Sequence, residues 1–274
     1  MNSKNIIKLN RSWKGDVFKV AFFDFDGTLS LIREGWPEIM IPYFCELLEL
    51  TPEGCTKSRN YISSIVEELV TINTGKQTIY QCIELSKCIS DFKGDPCNPL
   101  LYKKEYVRRL NTHIAERLSV LKNNSESAIK YLIPGSIQML SLLRQSGIKL
   151  FLASGTDEID VKVEANLLGI DIYFDGIFGA KDDYESFSKS KCLHEIINNL
   201  NICGSEVIGF GDGFVEIEAI KQVGGFACGV ASNEINPIQI NPWKKKRLID
   251  ARADIIVPNF ENSLDIITYI KEGV

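Results

Sequence analysis

The sequence predicts an α/β protein in which a doubly wound parallel sheet carries a second, inserted α-helical domain. Short apolar runs that end in small or acidic residues alternate with segments of helical periodicity, as in a parallel sheet with helices on both faces. Residues 31–132 show helical periodicity without a convincing strand. The chain has 274 residues, 45% hydrophobic and 24% charged, which is an ordinary globular balance and long enough for two domains.

The predicted strands are short apolar runs. Three runs predict buried parallel strands: Val17–Phe23, Ile148–Ala153 and Glu206–Phe210. Weaker patterns predict three more strands over Phe174–Gly179, Gly225–Val230 and Asp254–Val257. Near the start of the chain, Ile6–Leu9 fits either a short edge strand or an arm.

Helices are predicted where apolar residues recur every three to four positions. In the sheet region this spacing predicts helices over Ser136–Gln145, Lys189–Leu200 and Val215–Val223. In the insertion the same spacing runs over 61–70 and 106–121, and Pro134-Gly135 marks the return to the sheet. We therefore expect a core formed by residues 1–30 and 133–274 and a helical domain over 31–132.

Charge, hydropathy and cysteine usage exclude several classes of protein. Lys and Arg number 31 against 36 Asp and Glu, and the net charge of −5 argues against a basic nucleic-acid-binding protein. No apolar run approaches the roughly 18 residues of a membrane span, and the first residues lack the apolar stretch of a signal peptide, so we expect a cytoplasmic protein. Eight scattered cysteines without a C-x-x-C pair, and only two histidines, argue for reduced thiols and against a zinc site.

The strongest chemical signal is the segment that follows the first buried strand. Asp24 and Asp26 are two residues apart and are followed by Gly27 and Thr28. In an open parallel sheet, ligands bind at the carboxyl ends of the strands. Two carboxylates so close together repel each other unless a positive group lies beside them, and oxygen ligands favour Mg²⁺. Gly27 would leave backbone N–H groups free to approach an anion.

Three more segments join this one to give a resemblance to the haloacid dehalogenase (HAD) superfamily of phosphohydrolases. The first motif matches at Asp24-x-Asp26-Gly27-Thr28, and an apolar strand ending in Ser154-Gly155-Thr156 resembles the second. The third is a lysine at a helix start, for which we prefer Lys189 over Lys191 because apolar residues follow it at helical spacing. The fourth, Gly211-Asp212-Gly213-x-x-Glu216, lacks the glycine at 214 that a dinucleotide-binding loop requires.

The resemblance covers the sheet region fully and the insertion only by its placement, because the family often carries a helical cap after the first motif. It implies a Rossmann-like core and a Mg²⁺-dependent phosphatase that forms an aspartyl-phosphate. Asp24 would be the nucleophile and Asp26 the general acid and base. The other implied roles are phosphoryl binding by Gly27, Thr28, Ser154, Gly155 and Lys189, and metal binding by Asp24, Asp26, Asp212 and Glu216.

The implied substrate is a small phosphorylated metabolite, such as a sugar phosphate or phosphoglycolate. The inserted helices would close over the site, with Lys76 in the loop 74–77 and residues 33, 34 and 36 as candidate contacts. A phosphosugar mutase, a phosphonatase with a cap lysine, and an inactive binding module remain open. A dehalogenase is disfavoured because Asp26 is present. We expect the basic run Lys244–Arg247 after Trp243 to form a solvated helix face.

Overall fold

The computed structural model describes residues 6–10, 13–181, 183–233 and 235–273. They form two compact units. The first contains the described residues up to Ile32 and from Val120 onward, and the second is Arg33–Ser119.

The first unit is built on one mixed, mostly parallel sheet. Across the described residues the sheet has seven strands in the order β1-β7-β6-β5-β2-β3-β4. Strand β1 pairs antiparallel with β7 at one edge, and the other pairs are parallel. The predicted α/β class with a parallel sheet is thereby confirmed. The strands are β1 Ile7–Lys8, β2 Val20–Phe23, β3 Lys149–Asp157, β4 Gly176–Ala180, β5 Val207–Gly211, β6 Phe226–Val230 and β7 Ile255–Val257.

Strand β2 lies in the middle of the sheet, between β5 and β3. Its four residues are fully buried, as a continuous apolar run predicts for a strand covered on both faces. Phe23 stacks on Phe210 of β5 with ring centroids 4.4 Å apart, and both rings meet the edge of Phe260. The backbone N–H of Asp24 still donates to the Phe210 carbonyl at 2.9 Å. The packing therefore fixes where the chain leaves β2 and where the first acid lies.

Helices connect the strands of the first unit. Two match the predicted bounds, and the third predicted helix is shifted by one residue. A fourth, α9, contains the basic run that was expected on a helix, and α6 and α10 were not predicted. None of the described helices combines the length and hydrophobicity needed to cross a membrane. The helices are α5 Ser136–Gln145, α6 Glu158–Leu167, α7 Lys189–Leu200, α8 Phe214–Gln222, α9 Pro242–Asp250 and α10 Ser263–Glu272.

Strand β2 is shorter than the sequence predicts. The apolar run suggested a start at Val17, but the strand begins at Val20, and Val17 is 77% exposed. An exposed valine outside the sheet has no side chain on a neighbouring strand to pack against, so nothing stabilises an extended conformation there. Strand β3 instead continues beyond Ala153 to Asp157, with a shift in its register against β4.

The second unit is helical. It contains α1 Trp36–Glu49, α2 Arg59–Asn73, α3 Thr78–Asp91 and most of α4 Pro99–Asn123. Its interior includes Phe44, Leu48, Ile62, Val66 and Leu85, all buried and spaced along one face of their helices.

The division between the units differs slightly from the expected one at its first boundary, which follows Ile32 instead of residue 30, and more at its second. The helical domain was expected to reach residue 132, whereas the second unit ends at Ser119. Backbone hydrogen bonds place residues 131–133 with the first unit. Leu31 N–H donates to the Tyr131 carbonyl at 2.8 Å, and Ile133 N–H donates to the Leu29 carbonyl at 2.9 Å. These bonds tie the segment before α5 to the loop that follows β2.

Candidate active site

The loop that leaves β2 brings its first acid into a buried, hydrogen-bonded position. Asp24 is 4% exposed. Thr28 Oγ1 donates to Asp24 Oδ2 at 3.3 Å, and Lys189 Nζ lies 2.6 Å from Asp24 Oδ1. Gly27 turns the chain with φ near 75°, and its N–H donates to the Ser30 carbonyl. The turn holds Thr28 close enough to contact the carboxylate four residues before it.

Asp26 is bound by two hydroxyl groups from the end of β3. Its Oδ2 accepts hydrogen bonds from Ser154 Oγ at 3.1 Å and Thr156 Oγ1 at 2.9 Å. Ser154 Oγ in turn accepts from Thr156 N–H at 3.0 Å. Among the described side chains, Asp26 Oδ1 is buried without a hydrogen-bond partner. The first two sequence motifs therefore meet, and one Asp26 oxygen stays available.

Thr156 was not among the predicted site residues, although it belongs to the second motif. The signal that would have found it is the two-residue period of a strand. Residues 154 and 156 share one face of an extended chain, so a hydroxyl at both positions predicts two donors on that face.

Lys189 enters the site from the first turn of α7. Ser188 caps the helix by accepting a hydrogen bond from Lys191 N–H at 3.1 Å. Lys189 is 4% exposed and forms ion pairs with both Asp24 and Glu216. Lys191 is exposed and donates to the Glu185 carbonyl at 2.5 Å. Of the two candidate lysines, Lys189 is thus the one that contacts the first acid.

Burial and neighbouring charges set the protonation of this pair. Burial raises the pKa of Asp24 well above its usual range, the Glu216 and Asp212 carboxylates raise it further, and only Lys189 opposes them. Burial alone would lower the pKa of Lys189, but attraction to Asp24 and Glu216 raises it above its ordinary value. Lys189 therefore stays charged, while Asp24 lies in a region with excess negative charge. A further positive charge would lower the pKa of Asp24 and favour its ionised form.

A second lysine binds the remaining acid. Lys244 Nζ on α9 lies 2.8 Å from Asp212 Oδ2 and donates to Ser232 Oγ at 2.9 Å. Ser232 Oγ donates to the Gly27 carbonyl at 2.6 Å. The basic run was expected on a solvated face, and that expectation is wrong for Lys244, which is 8% exposed. Its place four residues before the buried Leu248 puts both on the same side of the helix.

The donor set suits a hard divalent cation in type, although it is not assembled into a closed shell. Within the described ranges, no three His, Cys, Asp or Glu side chains are arranged to hold a metal ion. Lys189 contacts Asp24 and Glu216, and Lys244 contacts Asp212, so each of these three carboxylates has an ammonium partner. Glu216 Oε2 is nevertheless buried without a hydrogen-bond partner. An orphaned buried carboxylate oxygen is costly, and a cation would satisfy it.

The candidate residues of the insertion have local partners in the second unit. Lys76 Nζ lies 3.0 Å from Asn73 Oδ1, in the connection between α2 and α3. Arg33 is buried, and the carbonyl of Glu34 accepts a hydrogen bond from Arg117 Nη1 at 2.7 Å. Among the predicted phosphoryl-binding groups, Gly155 lies in β3 directly after Ser154.

Comparison of the sequence with protein-family models gives one match. A family model described as a haloacid dehalogenase-like hydrolase matches residues 18–224. No curated protein matches the chain.

Solved structures share the fold at low sequence identity. A protein from Haemophilus somnus 129PT described as a predicted phosphoglycolate phosphatase has a TM-score of 0.59 and 17% identity, with 91% of this chain and 97% of that chain covered. A predicted phosphatase from Clostridium acetobutylicum has a TM-score of 0.59 and 17% identity, covering 92% and 99%. The β-phosphoglucomutase of Clostridium difficile has a TM-score of 0.55 and 16% identity, covering 90% and 93%.

Proposed function

Because the chain belongs to the haloacid dehalogenase-like hydrolase family, we propose that it is a Mg²⁺-dependent phosphomonoesterase acting through an aspartyl-phosphate at Asp24. One observation carries the proposal. Asp24 lies at the carboxyl end of the central strand, fixed by Lys189 and Thr28, while Asp26 two residues later is held separately by Ser154 and Thr156. Two carboxylates with separate partners suit two separate chemical roles.

In the first step a carboxylate oxygen of Asp24 attacks the phosphorus atom, and the bond from phosphorus to the ester oxygen breaks. Asp26 gives its proton to the leaving alkoxide. In the second step Asp26 takes a proton from a water molecule, whose oxygen attacks the phosphorus of the aspartyl-phosphate, and the bond from phosphorus to the Asp24 carboxylate oxygen breaks. Inorganic phosphate leaves, and Asp24 is restored. An aspartate nucleophile needs no separate base to activate it, because it reacts in its ionised form.

The groups around Asp24 suit a phosphoryl group during its transfer. Lys189 is charged and buried, so its attraction for phosphoryl oxygens is weakly screened. The Ser154 hydroxyl and the Gly155 N–H are further donors at the end of β3. Together these donors would neutralise charge on the transferring group. The N–H groups of Gly27 and Thr28 were expected to be free for an anion, but they donate to the Ser30 and Phe25 carbonyls. Gly27 and Thr28 therefore stay candidates for phosphoryl binding on the family resemblance alone.

Asp24, Asp212, Glu216 and the backbone carbonyl of Asp26 are the groups that would hold Mg²⁺. The cation would supply charge neutralisation for the phosphoryl group and for the nucleophile. The raised pKa of Asp24 supports this assignment, since ionised Asp24 needs more positive charge than Lys189 alone provides.

The substrate we propose is a small phosphorylated metabolite, a sugar phosphate or phosphoglycolate being the first to test. Support comes from proteins of the same fold that are described as phosphatases. Lys76 stays a candidate for substrate binding on the family resemblance alone. We place the enzyme in the cytoplasm, in keeping with its eight free thiols.

The test is phosphate release from a panel of phosphorylated metabolites, with and without Mg²⁺, for the wild type and for Asp24→Asn. We expect Mg²⁺-dependent release that falls about a thousandfold or more in the variant, because its amide cannot form an acyl-phosphate. Release that survives in Asp24→Asn would contradict the proposed nucleophile. If no compound is hydrolysed but a phosphoryl group can be trapped on Asp24, the enzyme is a mutase instead.

A further inference from the structure

Lys244 is a second buried cation for which the proposed reaction has no use. Its ammonium contacts Asp212 Oδ2 at 2.8 Å and Ser232 Oγ at 2.9 Å. Burying an ammonium group is costly unless an anion and hydrogen-bond partners compensate. Through Ser232, which donates to the Gly27 carbonyl, Lys244 also joins the loop after β2 to the loop after β5.

The ammonium group of Lys244 occupies the carboxylate of Asp212, which a bound divalent cation would also contact. Asp212 is the proposed metal ligand whose carboxylate is partly open, with 20% of its side chain exposed. A cation bound by Asp212 would lie within a few ångströms of Lys244 Nζ, and two positive charges at that separation repel each other. Asp24 and Glu216 contact Lys189 instead, so Lys244 and Lys189 bind different acids.

We propose that Lys244 is the resident counter-ion of Asp212, a positioning residue that neutralises this acid without metal and yields it when a divalent cation binds. Lys244 thereby sets the Mg²⁺ concentration at which the site fills. The inference rests on the proposed function, since it takes Asp212 to be a ligand of the catalytic cation. It extends that function with a mechanism that tunes the metal requirement.

Removing the charge of Lys244 distinguishes two roles, competition with the cation for Asp212 and orientation of Asp212 for the cation. If Lys244 competes with the cation, a neutral side chain at 244 strengthens Mg²⁺ binding and destabilises the metal-free protein. If Lys244 only holds Asp212 in place for the metal, its loss weakens Mg²⁺ binding. Arg247, one turn further along α9, packs on Phe214 and Trp243 and stays in place in either case.

The experiment measures Mg²⁺ affinity by calorimetry without substrate, and the melting temperature with and without Mg²⁺. The variants are Lys244→Met, which removes charge and hydrogen bonds, and Lys244→Gln, which keeps a donor near Asp212. The control is Lys246→Met, which removes the same charge from an exposed position on the same helix. We expect both Lys244 variants to bind Mg²⁺ about tenfold more tightly, the scale expected for removing one like charge a few ångströms away.

Both variants should melt at a lower temperature than the wild type without Mg²⁺ and gain more from its addition, while Lys246→Met matches the wild type. Unchanged or weaker Mg²⁺ binding in both Lys244 variants would overturn the inference and leave the phosphatase proposal standing. If Lys244→Met fails to fold, Lys244→Gln decides alone. Mg²⁺ binding in the variants but not in the wild type would support the inference, whereas no binding in any protein would overturn it together with the proposed metal.

Discussion

Gly27 lies where the candidate site has no room for a side chain. Its φ is near 75°, a conformation that costs other residues about 1 kcal/mol or more. A Cβ atom there would lie 2.2 Å from Asp212 Oδ2 and 3.0 Å from Lys244 Nζ. The glycine therefore serves two purposes, because it permits the turn and lets Asp212 and Lys244 approach the backbone after Asp26.

We predict that Gly27→Ala lowers activity far more than an alanine at a glycine with a similar positive φ and open space around it. Gly147→Ala is the matched control, since Gly147 has φ near 77° and nothing within 4 Å of its would-be Cβ. Gly147→Ala should cost about 1 kcal/mol of unfolding free energy and leave turnover intact. Gly27→Ala should cost about 2 kcal/mol or more and displace Asp212, lowering kcat/KM at least about tenfold.

Urea unfolding and steady-state kinetics of the two glycine variants check this prediction. If Gly27→Ala loses no more stability and no more activity than Gly147→Ala, the close approach of Asp212 to Gly27 is unimportant.

At the scale of single elements, α7 shows how a helix start places the ammonium group of Lys189 beside Asp24. Ser188 caps the helix by accepting the Lys191 N–H, and Lys189 is the first helical residue. Cys192, Leu193 and Ile196 are buried on the same side as Lys189. This apolar face anchors the helix in the core and fixes the direction of its first turn toward Asp24.

We predict that Ser188→Ala costs about 1 kcal/mol of unfolding free energy, the usual effect of losing an N-cap hydroxyl. Activity should also fall severalfold, because the turn that carries Lys189 loses one of its constraints. Ser205→Ala, at an exposed serine in the short 3-10 turn before β5, is the control. Chemical denaturation and kinetics measure both effects, and a Ser188→Ala enzyme as stable as Ser205→Ala would refute the cap.

At the scale of the whole molecule, the eight cysteines divide by depth. Four are buried (Cys45, Cys82, Cys192 and Cys228), three are exposed (Cys55, Cys97 and Cys203), and Cys88 is intermediate. Burial raises the pKa of Cys82 and of Cys192 to about 12, and raises that of Cys228 as well. At pH 8 a thiol with such a pKa is ionised in only about one molecule in ten thousand.

We predict that a thiol-alkylating reagent at pH 8 modifies the three exposed cysteines of the native protein first. The reaction of Cys82, Cys192 and Cys228 should wait for unfolding, because thiolate is the reactive form and both burial and raised pKa suppress it. Mass spectrometry of peptides after timed labelling measures the order, with urea-unfolded protein as the reference. Labelling of Cys228 as fast as Cys97 would show that the sheet around β6 opens readily.

Local patterns were sufficient for much of the fold. The bounds predicted for α5 and α7 coincide with the structure, because each helix has an apolar face ended by a local stop signal. Strand β1 was left open between a strand and an arm, since two residues give too little periodicity to decide. The unit boundary at Ser119 also escaped prediction, because it falls inside α4, where the helical pattern continues without a local break.

The sequence by itself determined the α/β class, the order of the four motifs and the preference for Lys189, because each is encoded within a few neighbouring residues. Only the tertiary structure decided that Thr156 and Ser154 both donate hydrogen bonds to Asp26. The same holds for Lys244, which is buried against Asp212 instead of lying on a solvated face. The reason is physical. A local sequence pattern indicates the chemical role of a side chain. The charged group that this side chain contacts depends instead on strands and helices far apart in the chain, which burial of the core brings together.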